Sequence, residues 1–476
     1  VTADSSLRLT FTVLAVAAVA ACGGVPLPAG DADGGDAGSL PGDAGADDAG
    51  SADAGGNDAG ANDAGMTNDG GMVSDAGAPP ATPDKSRDIL TTALQLDLTS
   101  HQATAEISIA GSSISTGASF EVGDLTVASV NGPSGPLNYR ISAGWMDVGV
   151  PAGSQPATLT VTYSFKDHSN FDGWQSGTGV SFLWPYFCGN LFPCHSDPSD
   201  GVKVSMSVTG IPSGDLAVYP MSIAADAPSY MPAVAVGRYT YLQLGTTSAG
   251  TEVGVYYLPG KLSAAQTGAA KLDQAFDWYE KTYGPYTFGA KVASVEAPWG
   301  PSGYGGMEHH PFWHVGSASL ADAVTHYHEA AHGWFGDGVR IACWEDFVLS
   351  EGTVSYLAAR SLKAIQNVDV WSQYQSDLNA AIAAGDTVAL PSTCDKIDIL
   401  HDPLWSNIPY MKGAFFYRAV EQQVGAAKLD AALAKFYQQH VGKAAHMQDM
   451  LDTIQAETGF DPTQLANGWL RSLGHP

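Results

Sequence analysis

The chain is poor in positive charge. Its 476 residues hold 21 Lys and Arg against 49 Asp and Glu, a formal net charge of −28. A nucleic-acid backbone is gripped by clustered basic side chains, so this balance argues against nucleic acid as a partner. The deficit is uneven, because residues 31–84 carry 12 Asp and no Lys or Arg. The remainder is acidic to a degree ordinary for a secreted enzyme. Cysteine is scarce as well, with five, at 22, 188, 194, 343 and 394. An odd count in an exported chain leaves one over, here Cys22. The other four suit two disulfides. Three pairings are possible, of which 188–194 and 343–394 are favoured by nearness in sequence and domain, with free buried thiols as the alternative.

Large apolar side chains are almost absent from residues 23–85, which are Gly, Ala, Asp and Asn with Asp-Ala-Gly recurring at 48, 53, 58 and 63. Such a segment cannot bury enough surface to offset its ordering entropy, and its like charges extend it. It reads as a disordered tether. Ahead of it, Arg8 precedes an apolar run from Leu9 to Ala21, too short for a permanent membrane span and of the length of a signal-peptide core. The run ends Val19-Ala20-Ala21-Cys22-Gly23, which resembles the bacterial lipobox. That resemblance implies a lipoprotein signal peptide over 1–22, a lipidated Cys22 as mature N-terminus, and a membrane anchor in the bacterial cell envelope. A plain secretory signal is the alternative. Val at position 1 points to an alternative start codon or a truncated start.

Beyond the tether the chain is patterned. Between residues 86 and 258 the period is two, as in Ala157-Thr-Leu-Thr-Val-Thr-Tyr-Ser-Phe165 and Val202-Lys-Val-Ser-Met-Ser-Val208, with Gly, Pro and Ser clusters between the runs. This predicts an N-terminal antiparallel β-domain with one wet face. From Ala264 the spacing turns to three and four, predicting a mainly α-helical domain over 259–476 interrupted by a strand at Lys291–Val295. The fold class is α+β, multidomain.

The chemistry concentrates in His328-Glu329-Ala330-Ala331-His332, the HEXXH pattern. Positions i and i+4 share a helix face, so two imidazoles can grip one ion, while Glu329 is placed to deprotonate a water on it. Eighteen residues separate His332 from Glu351, in Leu349-Ser350-Glu351-Gly352. Two His and one Glu leave a catalytic zinc one open position. His326 projects to the far side of that helix and is structural. Trp334, Phe335, Trp344 and Phe347 are read as core packing, and Asp337, between Gly336 and Gly338, as a turn residue. Asp346 has two readings, a partner orienting a zinc-bound His or a cap of the helix that carries Glu351.

As a set, these residues resemble the membrane alanyl aminopeptidase and leukotriene hydrolase family of gluzincin zinc metallopeptidases. HEXXH with its downstream Glu is similar to that family's zinc signature. Gly305-Gly306-Met307-Glu308-His309 resembles its exopeptidase motif, Ile408-Pro409-Tyr410-Met411-Lys412-Gly413 the segment with its catalytic Tyr, and Phe192-Pro193-Cys194-His195-Ser196-Asp197-Pro198 a landmark of its β-domain. The resemblance covers roughly 86–476. It implies a thermolysin-like catalytic domain holding one Zn2+ on His328, His332 and Glu351, with Glu329 as base and Tyr410 as oxyanion donor. Gly306, Met307 and Glu308 would bind peptide substrate, Glu308 holding its free α-amino group.

Three departures stand out. His309 replaces the motif's Asn, which is expected to alter how the substrate's amine is seated. Leu183-Trp184-Pro185 stands where the family places a second amine contact. The chain also stops where the family's large helical C-terminal domain would begin, so an open site is expected. The reading is therefore an aminopeptidase, with an endopeptidase or other amide or ester hydrolase as the alternative. A non-catalytic zinc-binding lipoprotein is the remaining reading. It has no use for Glu329 or Tyr410.

Overall fold

In the computed structural model the described residues are 79–169, 171–299, 305–385, 388–402 and 404–476. Cys22, the signal segment and all of the Asp-rich tract before residue 79 lie outside them. Among the described residues no helix is long and apolar enough to cross a membrane.

A seven-stranded sheet dominates the N-terminal half. Its centre is β1 (Ile89–Asp97), β2 (Gln102–Ile109), β3 (Ala157–Ser164) and β4 (Val202–Thr209). β4 alternates strictly between buried and exposed, the one-wet-face pattern its sequence predicts. One pairing departs from the antiparallel expectation: β1 runs parallel to β4, Thr91 opposite Lys203 through Asp97 opposite Thr209. The long excursion between these strands removes the hairpin constraint that forces neighbours antiparallel. Asp84 already bonds to the β-rich half, its N–H donating to Ser119 Oγ of a separate three-stranded sheet at 2.8 Å.

A five-stranded mixed sheet carries the chain into the helical half. It joins β5 (Thr240–Thr246), β6 (Glu252–Tyr257), β7 (Lys291–Ala297), β8 (Gly306–Met307) and β9 (His314–Gly316), with β8 at one edge. Hydrogen bonds between β6 and β7 therefore bridge residue 258. Helix α1 (Leu272–Tyr283) packs on this sheet, and α2 (Ala323–Ala331), α3 (Thr353–Gln366), α4 (Asn407–Val424) and α5 (Met447–Thr458) come after it. Trp313, Trp334, Tyr279 and Tyr327 are wholly buried between α1 and α2. Truncating one such ring to Ala would cost about 3–5 kcal/mol, so α2 is rigidly seated. Trp334 and Phe335 are thus core, as their sequence position suggests.

Two disulfides form, Cys188–Cys194 and Cys343–Cys394, the favoured pairing. The second closes 51 residues of chain. Chain-entropy arguments give such a loop about 4 kcal/mol. Arg340, nearly buried, links the two halves through the carbonyls of Ser199 at 3.3 Å and Asp226 at 3.2 Å.

Candidate active site

Helix α2 begins at Asp322, whose carboxylate accepts the N–H groups of Val324 and Thr325 at 3.2 Å each. It delivers His328, Glu329 and His332 to one wall of a cleft of about 450 Å3. Glu351 approaches from a π-helical turn, Val348–Gly352, that runs directly into α3. Its Oε2 lies 3.1 Å from His328 Nε2 and 3.5 Å from His332 Nε2, and the two Nε2 atoms are 3.3 Å apart. His332 Nδ1 is 3.1 Å from Phe335 O, a contact that places the proton on Nδ1 and turns Nε2 inward. His326, on the opposite face, is buried against Ser294 Oγ and Leu320 O at 2.8 and 2.9 Å. It is structural.

Glycines set the approach of the remaining groups. A Cβ on Gly306 would stand 2.3 Å from Glu329 Oε1, so this edge-strand position admits only hydrogen where the carboxylate packs across it. A Cβ on Gly413 would stand 2.5 Å from the Gly352 Cα. That backbone crossing lets α4 lie against the Glu351 turn and presents Tyr410 to the cleft, its ring 6.1 Å from His328 at 26°.

Glu308 is held from the β-rich half. Tyr230 donates its hydroxyl to Glu308 Oε1 at 2.8 Å, with Asp337 Oδ1 3.2 Å from the same hydroxyl. Tyr230 is not legible in the sequence, since a lone Tyr after Pro-Ser carries no pattern. Asp337 is more than a turn residue. That residue does close the turn after α2, its N–H donating to His332 O at 3.1 Å, but its carboxyl is fully buried beside the site. Burial pushes the Glu308, Glu329 and Asp337 carboxyls up.

Four carboxylates thus crowd one imidazole. Burial pulls His332 down, yet Glu351, Glu308 and Glu329 outweigh it and push it up to about 10. Such surroundings call for positive charge, and a dication on two imidazoles and a carboxylate supplies it. The donor atoms of His328, His332 and Glu351 lie within 4.8 Å of one another. The residues fit a metal of the zinc type.

Other expectations need correction. His309, expected to alter how the substrate's amine is seated, is not among the residues that line the cleft. It is buried, 3.3 Å from Leu183 O and 3.2 Å from His314 Nδ1, and burial lowers it to about 4. His310 Nε2 instead donates to Glu329 O at 2.8 Å, bracing α2 from below. Asp346 orients no zinc-site His and caps no Glu351 helix. Its oxygens accept from Met447 N and His446 Nδ1, both at 2.8 Å, at the start of α5. Phe347 is core as read, 2% exposed, whereas Trp344 is only half buried against the same core; with Trp405 both line an adjoining pocket beyond Glu308. Trp184 and Pro185 line the cleft itself, next to Phe182.

Comparison with known proteins agrees with this geometry. Residues 316–469 match the model described as Peptidase family M1 domain. Aminopeptidase M1-B of Oryza sativa subsp. japonica is 26% identical over 322 residues, covering 60% of this chain and 36% of that protein. Leucine aminopeptidase 2 of Chaetomium globosum is 28% identical over 297 residues, 56% of this chain and 47% of that protein. The chain therefore spans about a third to a half of the length of these relatives. Among solved structures, an M1 zinc metallopeptidase mutant from Deinococcus radiodurans bound to a Tyr-Ser-Ala substrate superposes with TM-score 0.69 at 17% identity, covering 82% of this chain and 95% of that one. Native yeast LTA4 hydrolase also gives 0.69, at 19% identity over 82% and 68%. The fold is theirs.

Proposed function

We propose that this chain, whose residues 316–469 form a peptidase family M1 domain, is a zinc-dependent aminopeptidase that removes N-terminal residues from peptides. The observation that carries the reading is the pairing of the His328, His332, Glu351 donor set with a buried, Tyr230-held Glu308 across one cleft. His328, His332 and Glu351 would hold one Zn2+ per chain, which would supply polarisation of the scissile carbonyl and acidification of a water. Glu329, one residue from His328 and packed on Gly306, takes the water's proton and passes it to the leaving amine. Tyr410 donates its hydroxyl to the oxyanion. Glu308 accepts the substrate's α-ammonium, while the edge strand Gly306–Met307 lies along the extended substrate backbone. Beyond Tyr410 the surface continues past Asp322, Gln373 and Asp377, room for the rest of the peptide.

A second reading, cleavage without a free amine, has one observation behind it. The pocket does not end at Glu308 but continues to Ser196, Pro198 and Pro228. The apolar run before Cys22 and the Asp-rich tract after it support a lipid-anchored enzyme held off a bacterial envelope membrane. Removing metal with a chelator should abolish hydrolysis of an aminoacyl-coumarin, and zinc should restore it in the wild type but not in Glu329→Gln. Undiminished hydrolysis in fully zinc-free protein would overturn the proposal.

A further inference from the structure

A second set of donors converges away from the cleft, where the turn before Glu351 meets the start of α5. Asp346 and His446 close on the Cys343–Cys394 disulfide, and the donor atoms of all four residues lie within 4.8 Å of one another. Asp346 Oδ2 is 2.8 Å from His446 Nδ1 and 3.3 Å from Cys343 Sγ, and His446 Nδ1 is 4.0 Å from Cys394 Sγ. The other Asp346 oxygen accepts the Met447 N–H, which fixes the carboxylate. A disulfide sulfur has no proton to give, so Asp346 Oδ2 and Cys343 Sγ meet as two electron-rich atoms without a shared hydrogen. Two thiolates, an imidazole and a carboxylate around that point are instead a tetrahedral donor set for a borderline-soft dication.

We propose that reduction of Cys343–Cys394 creates a second metal site, in which both sulfurs, His446 Nδ1 and Asp346 Oδ2 hold one zinc ion. A solution dithiol supplies two electrons and two protons to the disulfide and leaves as its own disulfide. Zn2+ then displaces the two thiol protons to solvent, so the bound form carries two thiolates. The sulfurs must part to about 3.8 Å, the edge of a tetrahedron with Zn–S near 2.3 Å, which side-chain rotation supplies. The His446 side chain is 52% exposed and gives the ion a path inward. Four protein ligands leave no open position, so the site is structural.

Its place gives it a consequence for the cleft. Glu345, beside Cys343, accepts the backbone N–H groups of Lys396 and Ile397, the latter at 2.8 Å, and Trp344 lines the pocket. Disulfide and zinc staple the same two segments. The ion keeps them together when the covalent bond is open. The other disulfide lacks this capacity, because among the described residues only the Glu121 carboxylate joins Cys188 and Cys194 in a cluster of donor atoms, and all three are buried.

The test titrates metal-stripped full-length protein with Co2+, oxidised and after reduction by a water-soluble phosphine, which becomes its oxide with oxygen from water and adds no thiol ligand. The cobalt on His328, His332 and Glu351 serves as reference in both states. Reduction should add one cobalt per chain with a sulfur-to-cobalt charge-transfer band. His446→Ala, which leaves the disulfide and its oxidised fold in place, should weaken that cobalt at least about tenfold. The double variant Cys343→Ser, Cys394→Ser should lose it and keep the reference cobalt. No added cobalt on reduction, an added cobalt without the sulfur band, or a band that survives the double variant would overturn the proposal.

Discussion

The Tyr230 hydroxyl donates to Glu308 Oε1 across 2.8 Å, so the β-rich half positions the side chain proposed to recognise the substrate's amine. A hydrogen bond to a charged group contributes about 1.5–3 kcal/mol, so Tyr230→Phe should raise KM for free-amine peptides about 10- to 100-fold with kcat much less changed. Michaelis parameters on a dipeptide series check this. An unchanged KM would remove Tyr230 from amine recognition.

Glu329 and Tyr410 should show the opposite signature. Glu329→Gln should lower kcat about 100- to 10,000-fold. Tyr410→Phe should lower it about 100- to 1,000-fold. Both should keep one zinc per chain by elemental analysis and change KM little. A Tyr410→Phe enzyme with wild-type kcat would place the oxyanion donor elsewhere.

The Gly352–Gly413 crossing sets Tyr410 against the Glu351 turn. In Gly413→Ala the new methyl must push backbone from backbone, at about 1–3 kcal/mol of stability. The expected outcome is a lowered melting temperature together with a fall in kcat, since α4 moves as a unit. A stable variant of wild-type kcat would show that the crossing does not locate Tyr410.

His309 makes a pH prediction. Burial depresses it to about 4, below the ordinary histidine range, so the folded chain binds fewer protons than the unfolded one. Its contribution is complete above about pH 6.5 and is lost as pH falls toward 4, amounting at most to about 3 kcal/mol. His309→Asn should flatten that part of the stability curve, read by denaturant unfolding at neutral pH and near pH 4.5. Parallel curves for the two proteins would show that His309 is not held neutral.

Much of this architecture is legible in the sequence because it depends on spacing. The i, i+4 histidines and the downstream Glu351 need only a helix and one return of the chain, and period-two runs such as Val202–Thr209 announce their strands. Pairing direction is not local, so the parallel match of Ile89–Asp97 with Val202–Thr209 leaves no mark in either segment. Tyr230 is illegible for the same reason. Its partner Glu308 is 78 residues away, joined only by the packing of two sheets. His309 misleads, since nothing in its neighbours shows that its ring turns toward Leu183 rather than the cleft. Asp346 likewise takes partners a hundred residues on, at the start of another helix.

The central claim is that Glu308 makes the zinc chemistry an exopeptidase. Full-length protein, with Glu329→Gln as the blank, is offered paired fluorogenic peptides identical except for acetylation of the N-terminus. The account predicts cleavage of the free-amine set alone, at the first peptide bond, abolished by chelator and by the substitution. Equal cleavage of the acetylated set would contradict it and assign the cleft to internal bonds.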